Sequence, residues 1–483
     1  MQKSKEDTKG ITIKKEADFS EWYTQVLQKA ELIEYSDVSG CYILRPRAYA
    51  IWEKIQAYFD KKIKNSGVKN CYFPLFIPES LLAKEAKHFK GSTPEVAWVN
   101  EAGDSKLNER LAIRPTSEAI MYSAFPRWIR SYKDLPLRLN QWCNVVRWEF
   151  KHSTPFIRSR EFLWQEGHSA FATKQEAEKE ALEILNYYAE VYEKLCAVPV
   201  LKGKKSNKEK FAGAEYTLTV ETFLPNGKAV QGATSHYLGQ NFSEAFNIKF
   251  LDRDEKLKLV HQNSWGITTR SIGILIMMHS DNKGLVLPPA VADNKVVIVP
   301  ILLEKDKEKV LKTCTEVAKK LNELSPLVDD REDYTPGWKF NEWELKGIPV
   351  RIEIGPKDLD KKQAVVVTRH DGKKEAVKID VLKDKVLRAL ERMQSDLLEN
   401  ANKHLKNSTV FVASQKDFLN ALKNKKMAKG NWCNTMNCED DIKTRSDGAK
   451  SLVIPLDEPL VKGKKCFNCG KDASAVCYFG KSY

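Results

Sequence analysis

The chain has 483 residues, a formal net charge of +14 and a pI near 9.0, so it is long enough for two or three domains with separate cores. No window reaches the ~18 uninterrupted apolar residues that a membrane span needs, and the polar start MQKSKEDTKG, lacking an apolar segment, argues against secretion. Ten cysteines are scattered, with only the last five closely spaced, which suits a reducing compartment better than a disulfide framework and makes the cytoplasm the expected location. The basic surplus favours a polyanionic partner without naming it.

In chain order, residues 1–15 are lysine-rich and are expected to be disordered. Helical spacing of Phe19, Trp22, Val26, Leu27 and Ala30 predicts a helix over 18–33, with Ser20 as a candidate cap. A turn and short strand over 39–46 lead into a second helix at 48–64, and 68–76 forms an apolar strand interrupted by Pro74, which fits an edge or bend. After an apolar strand at 111–113, Arg114-Pro115-Thr116-Ser117-Glu118 opens a helix, and on spacing alone Thr116 and Ser117 read as caps.

Residues 140–171 read as a β-hairpin whose charge a core strand would not tolerate. Alternation puts Gln141, Cys143, Val145, Arg147 and Glu149 on one face of the first strand. The returning strand from 158 to 168 groups Arg158, Arg160, Phe162, Trp164, Glu166 and His168. Arginine keeps its charge at physiological pH and offers a planar donor fork, so guanidinium groups projecting from a sheet suit phosphate. Phe162 could stack on a base, although a surface hairpin laced with Arg–Glu pairs has the same spacing.

Thr173 and Glu176 form a capping box before a helix that runs to about Cys196, with Ala181, Leu185, Tyr188, Tyr192 and Leu195 on one face. Residues 202–210 read as a solvated basic loop, and 231–242 place small residues beside polar ones, as where backbone approaches a ligand. Residues 262–270 open an apolar helix at 272–278, with Arg270 at its start against the helix macrodipole, a conflict that a bound anion would offset. From 296 onward strand and helix alternate, which indicates a parallel or mixed α/β sheet. In the tail, Cys433-x4-Cys438 and Cys466-x2-Cys469 suit structural zinc, with reduced buried cysteines as the alternative.

Arg147-x-Glu149, a loop, Arg158 and Arg160-Glu161-Phe162 resemble motif 2 of the class II aminoacyl-tRNA synthetases. The wider wording, residues 147–152 and Trp164-Gln165-Glu166-Gly167-His168-Ser169-Ala170-Phe171, resembles the eukaryote-like prolyl-tRNA synthetase family over nearly the whole chain. The resemblance implies an α+β catalytic domain with a mainly antiparallel sheet over 16–290, with motif 1 at about 40–76, motif 2 at about 138–168 and motif 3 at about 262–290. An α/β anticodon-binding domain at 291–405 and a small α+β zinc-binding-like domain at 406–483 would follow. No hydrolytic insertion fits between motifs 2 and 3, so editing in cis is not expected, and motif 1 implies a homodimer.

By the same resemblance, proline would be activated with ATP and magnesium and transferred to tRNA(Pro). Arg147, Arg158 and Arg270 would be catalytic, and ATP would meet Arg147, Glu149, Arg158, Phe162, Gln231, Thr234, Thr268 and Arg270, with Gln231 near magnesium. Proline would be bound by Thr116, Glu118, Arg147, Trp164, His168, Phe171 and His236. Glu344, Arg351, Lys357 and Asp358 would read the anticodon, and Cys433, Cys438, Cys466 and Cys469 would hold zinc. Two other readings share parts of this pattern: a synthetase of the same subclass for another small amino acid, and a non-catalytic tRNA-binding paralogue.

Overall fold

The computed structural model describes residues 10–88, 95–149, 152–458, 461 and 463–483. An eleven-stranded sheet dominates it, in the spatial order Thr409–Val412, Met427–Trp432, Ala475–Gly480, Lys450–Pro455, Leu201–Lys204, Tyr216–Phe223, Ala229–Gly239, His261–Thr268, Glu161–Phe171, Leu137–Val146 and Lys69–Asn70. Every pairing is antiparallel except at the two edges, where Thr409–Val412 and Lys69–Asn70 join in parallel. The sheet crosses from the catalytic part into the C-terminal part where Ile454 and Pro455 pair with Lys204 and Gly203.

One face is covered by the helices Pro46–Asn65, Lys174–Glu190 and Arg270–His279, whose apolar stripes form a single core with the sheet. The Thr173–Glu176 capping box is present in both directions, and Ala181, Leu185, Tyr188, Tyr192 and Leu195 are all buried. The first helix spans Phe19–Lys29, and its cap is Asp18 rather than Ser20: the Asp18 carboxylate accepts from the backbone N–H groups of Ser20 and Glu21.

Three further expectations give way. Residues 1–9 lie outside the described residues, but 10–15, expected to be disordered, are held in place: Gln25 accepts from the Thr12 N–H, and Lys15 Nζ donates to the carbonyls of Met277 and Ser280. Burial draws the pKa of Lys15 down to about 8. The apolar strand predicted over 68–76 survives only as Lys69–Asn70 and, after Pro74, Phe76–Pro78. The basic run 202–210 is a seam and not a solvated loop: Lys205 pairs with Glu221 at 2.5 Å in a buried ion pair, and the Ser206 hydroxyl donates to Glu439.

A separate five-stranded sheet, Leu327–Val328, Val296–Pro300, Val350–Ile354, Gln363–Thr368 and Lys374–Lys378, is parallel on one side and antiparallel on the other. The 27-residue helix Leu382–Ser408 then returns the chain to the large sheet. Among the described residues no helix is long and apolar enough to cross a membrane.

Candidate active site

The hairpin of Leu137–Val146 and Glu161–Phe171 pairs Leu139 with His168, Gln141 with Glu166, Cys143 with Trp164 and Val145 with Phe162. Strand alternation therefore sends Phe162, Trp164, Glu166 and His168 to one face. Register carries that face across two more strands: His168 is opposite Ser264, which is opposite His236, and one step along Glu166, Gly266 and Thr234 are aligned. A cavity of about 310 Å³ opens on these rows. Gly266, without a side chain between Glu166 and Thr234, leaves its floor low.

Arg147, just past the end of its strand, sends Nε to the Pro115 carbonyl at 2.9 Å and lies 5.4 Å from the Trp164 ring and 5.7 Å from the Phe162 ring. Arg158 occupies a tight turn closed by reciprocal backbone bonds with Thr154. Arg270 begins its helix and donates to the carbonyls of Ile157 and Gln231. All three arginines line the cavity. Burial lowers the pKa of Arg270, and the positive charges of Arg158 and Arg147 lower it further against Tyr192 and Glu221. Three cations are thus gathered at a cost that an anion would relieve.

The opposite end is acidic and closely hydrogen-bonded. Glu166 is buried and accepts from Gln141 Nε2 at 2.7 Å, from the Ser117 hydroxyl and from His168 Nε2 at 3.0 Å. Burial opposes its ionisation, but these donors win and hold its pKa below the usual value. His168 Nδ1 meets the Tyr122 hydroxyl at 2.9 Å. Burial would push its pKa down, but Glu166 and Glu118 raise it. Among the described residues the hydrogen-bond partners of His236 are hydroxyls, Thr217 at 2.8 Å and Thr234 at 3.0 Å, and burial takes its pKa down to about 3. Glu118 accepts from the Thr116 hydroxyl at the cavity wall. The Ser264 hydroxyl, between the two histidines, is buried and has no partner among the described residues.

Of the residues predicted for this site, Thr116, Glu118, Arg147, Arg158, Phe162, Trp164, His168, Gln231, Thr234, His236, Thr268 and Arg270 line the cavity. Phe171 does not: its odd position puts it on the opposite strand face, in the main core. Glu149 is exposed beyond the strand end, next to residues 150–151, which lie outside the described residues, and it does not line the cavity. Arg160 leaves the arginine group because the regular strand begins only at Glu161. Its N–H donates to Gly40 and its guanidinium to the Ser39 carbonyl. Sequence reasoning gave no role to Glu166, Gln141 or Tyr122 and read Ser117 as a cap, whereas its hydroxyl donates to Glu166 and makes no capping bond among the described residues. Parity with His168 was the available signal for Glu166.

In the second sheet, Arg351 is buried and pairs with Glu353 and with Glu344. Lys357 and Asp358 lie past the other end of the Val350–Ile354 strand, where Asp358 caps the Gly355 N–H. The four predicted anticodon residues therefore form two groups. In the tail, the Cys438 and Cys466 sulfurs are 3.7 Å apart and those of Cys469 and Cys433 are 3.6 Å apart. A tetrahedral zinc site built from four thiolates, with Zn–S near 2.3 Å, requires about 3.8 Å between sulfurs.

A mainly antiparallel sheet with paired arginines on a hairpin and a third opening a helix defines a class II aminoacyl-tRNA synthetase. Residues 97–279 match the tRNA synthetase class II core domain (G, H, P, S and T), residues 295–389 the anticodon binding domain and residues 415–483 the prolyl-tRNA synthetase C-terminal family. The cytoplasmic proline–tRNA ligase of Arabidopsis thaliana is 49% identical over 488 residues, covering 99% of this chain and 92% of the relative. Proline–tRNA ligase 2 of Bacillus cereus is 48% identical over 482 residues, covering 99% and 100%. The crystal structure of prolyl-tRNA synthetase from Cryptosporidium parvum, complexed with halofuginone and AMPPNP, superposes with a TM-score of 0.95 at 48% identity, covering 98% of this chain and 100% of that one. The chain belongs to the prolyl-tRNA synthetase family and is a proline–tRNA ligase.

Proposed function

We propose that the 310 Å³ cavity is the adenylation centre, with ATP held at its arginine end and proline at its acidic end. The observation that carries this reading is the convergence of Arg147, Arg158 and Arg270 on one side of a cavity whose other side holds Glu118 and the Glu166–His168 pair. The AMPPNP in the Cryptosporidium structure is consistent with it.

In the first step the proline carboxylate attacks the α-phosphorus of ATP and pyrophosphate leaves. In the second, the terminal ribose hydroxyl of tRNA attacks the adenylate carbonyl and AMP leaves. The first nucleophile is ionised at neutral pH, so this step needs no general base. Arg147, Arg158 and Arg270 supply positioning and charge stabilisation, and Phe162 and Thr268 border the nucleotide. Magnesium, which prefers phosphate oxygens and water to many protein ligands, would neutralise phosphate charge near Gln231 and Thr234.

Glu118 and Thr116 receive the secondary ammonium of proline, and Trp164, His168 and His236 wall the ring. The Ser264 hydroxyl supplies a further polar group on the floor. The enzyme is read as a cytoplasmic homodimer built through the motif 1 region. It binds tRNA(Pro) through the five-stranded domain, with Glu344 and Arg351 at one end and Lys357 and Asp358 at the other, and it holds zinc on Cys433, Cys438, Cys466 and Cys469.

The test is proline-dependent ATP–pyrophosphate exchange without tRNA. Arg147→Ala should lower it by about 10²–10³-fold, the effect of removing one preorganised charge stabiliser, while the folded far-UV spectrum is kept. Exchange that is undiminished, or that threonine or alanine supports as well as proline, would contradict the assignment.

A further inference from the structure

The acidic end of the cavity holds two carboxylates and one imidazole, and the ligand atoms of Glu118, Glu166 and His168 all lie within 4.8 Å of one another. Two carboxylates this close do not both stay ionised in a buried site unless a cation accompanies them. If no side chain supplies one, a proton goes to a carboxylate. Protonation of Glu118 would remove the acceptor proposed for the substrate ammonium. Where the site keeps its proton therefore decides whether it can bind proline.

Glu166 is satisfied as an anion by Gln141, Ser117 and His168. An imidazolium must donate from both ring nitrogens, or it leaves a buried N–H unpaired. Glu166 accepts at Nε2, and at Nδ1 the atom in reach is the Tyr122 oxygen, 2.9 Å away. Tyr122 itself is fully buried among the rings of Phe125, Phe242 and Phe246 and does not line the cavity.

We propose that Tyr122 is a positioning residue for proline binding: by accepting the Nδ1 proton of His168 while Glu166 accepts the Nε2 proton, it keeps the pocket's proton on the imidazole and leaves Glu118 ionised for the secondary ammonium. The groups facing His168 are Tyr122 and Glu118 from the Glu118–Trp128 helix, Glu166 on its own strand and His236 across the cavity, while Arg147, lining the same cavity, acts on His236. The pKa directions agree, since His168 is raised and His236, which lacks a carboxylate partner, is not. The inference rests on the proline pocket described above.

Tyr122→Phe keeps the ring and its packing and removes only the acceptor. At pH 7 it should raise the KM for proline about tenfold, the size of one lost hydrogen bond to a charged group, with kcat and the KM for ATP changed less than about twofold. The excess should shrink as pH rises, because the proton displaced from the imidazole is then released from the pocket. In wild-type chain labelled with ¹⁵N-histidine, His168 should carry protons on both ring nitrogens at pH 7, a measurement that needs no variant. A neutral His168 in the wild type, an unchanged KM in Tyr122→Phe or an increase that does not vary with pH would each overturn the inference. Glu118→Gln separates the two levels: if it leaves the KM for proline unchanged, the pocket itself is misplaced. If it raises the KM while wild-type His168 is neutral, only the role of Tyr122 falls.

Discussion

Glu166 is a carboxylate with 2% exposure that stays ionised because the donors around it are placed by three elements: Ser117 by a helix start, Gln141 by the paired strand and His168 by its own strand. A buried anion without such donors would protonate or cost several kcal/mol. Its coupling to His168 sets a pH window for stability. The Glu166 pKa falls below its ordinary 4.5 on folding, so its contribution is present above pH 4.5 and is lost as pH falls through the folded value. The His168 pKa rises above 6.5, so its contribution is complete below pH 6.5 and is lost as pH rises through the folded value. The difference in Tm between wild type and Glu166→Gln should therefore be widest between about pH 4.5 and 6.5, measured by differential scanning calorimetry. A difference that is flat from acid to mildly alkaline pH would contradict the ion pair. At this scale the sequence was readable wherever parity decided the question, as for Trp164, Glu166 and His168. For Phe171 the family resemblance and strand parity disagree, and its odd position in the strand puts it in the main core; for Tyr122, a helix residue that reaches a strand residue 46 positions away leaves no local signal.

Among the elements, the hairpin and the Arg270–His279 helix point three arginines at one space, the end of the cavity proposed to hold ATP. The strand start at Glu161 limits that set, leaving Arg158 in the turn and sending Arg160 to Gly40. Alternation was legible from the sequence, but the position where it begins was not. The cysteine pairs are the opposite case, since spacing alone brought four thiols into one proposed site and the sulfur separations of 3.6 and 3.7 Å suit a tetrahedral ion. Elemental analysis should find one zinc per chain, and its removal by a chelator should lower Tm by several degrees, since ligand binding to the folded state adds to stability. Metal-free protein with a Tm indifferent to chelator would contradict the site.

The whole molecule is less divisible than its sequence. The change to strand–helix alternation after 296 marked the five-stranded domain clearly, because crossover helices give a distinct pattern. The C-terminal part, by contrast, extends the catalytic sheet through Ile454 and Pro455, and its last residues run beside the strand that carries Gln231. Tyr483 donates its N–H to Ala229 and accepts from Asn226 on its hydroxyl. Such pairings between distant segments depend on backbone edges left open by the fold, which no side-chain pattern announces. The basic run at 202–210 looked solvated for the same reason, because its partners Glu439 and Leu452 lie 233 and 247 residues away.

The proposed adenylation site rests on the three converging guanidinium groups gripping a triphosphate beside a proline-sized pocket. A crystal structure of the enzyme with proline and a non-hydrolysable ATP analogue tests it most directly. Phosphate oxygens should lie within hydrogen-bond distance of Arg147, Arg158 and Arg270, with the proline nitrogen against Glu118. Nucleotide bound elsewhere, with those side chains paired only to carboxylates or turned to solvent, would contradict it.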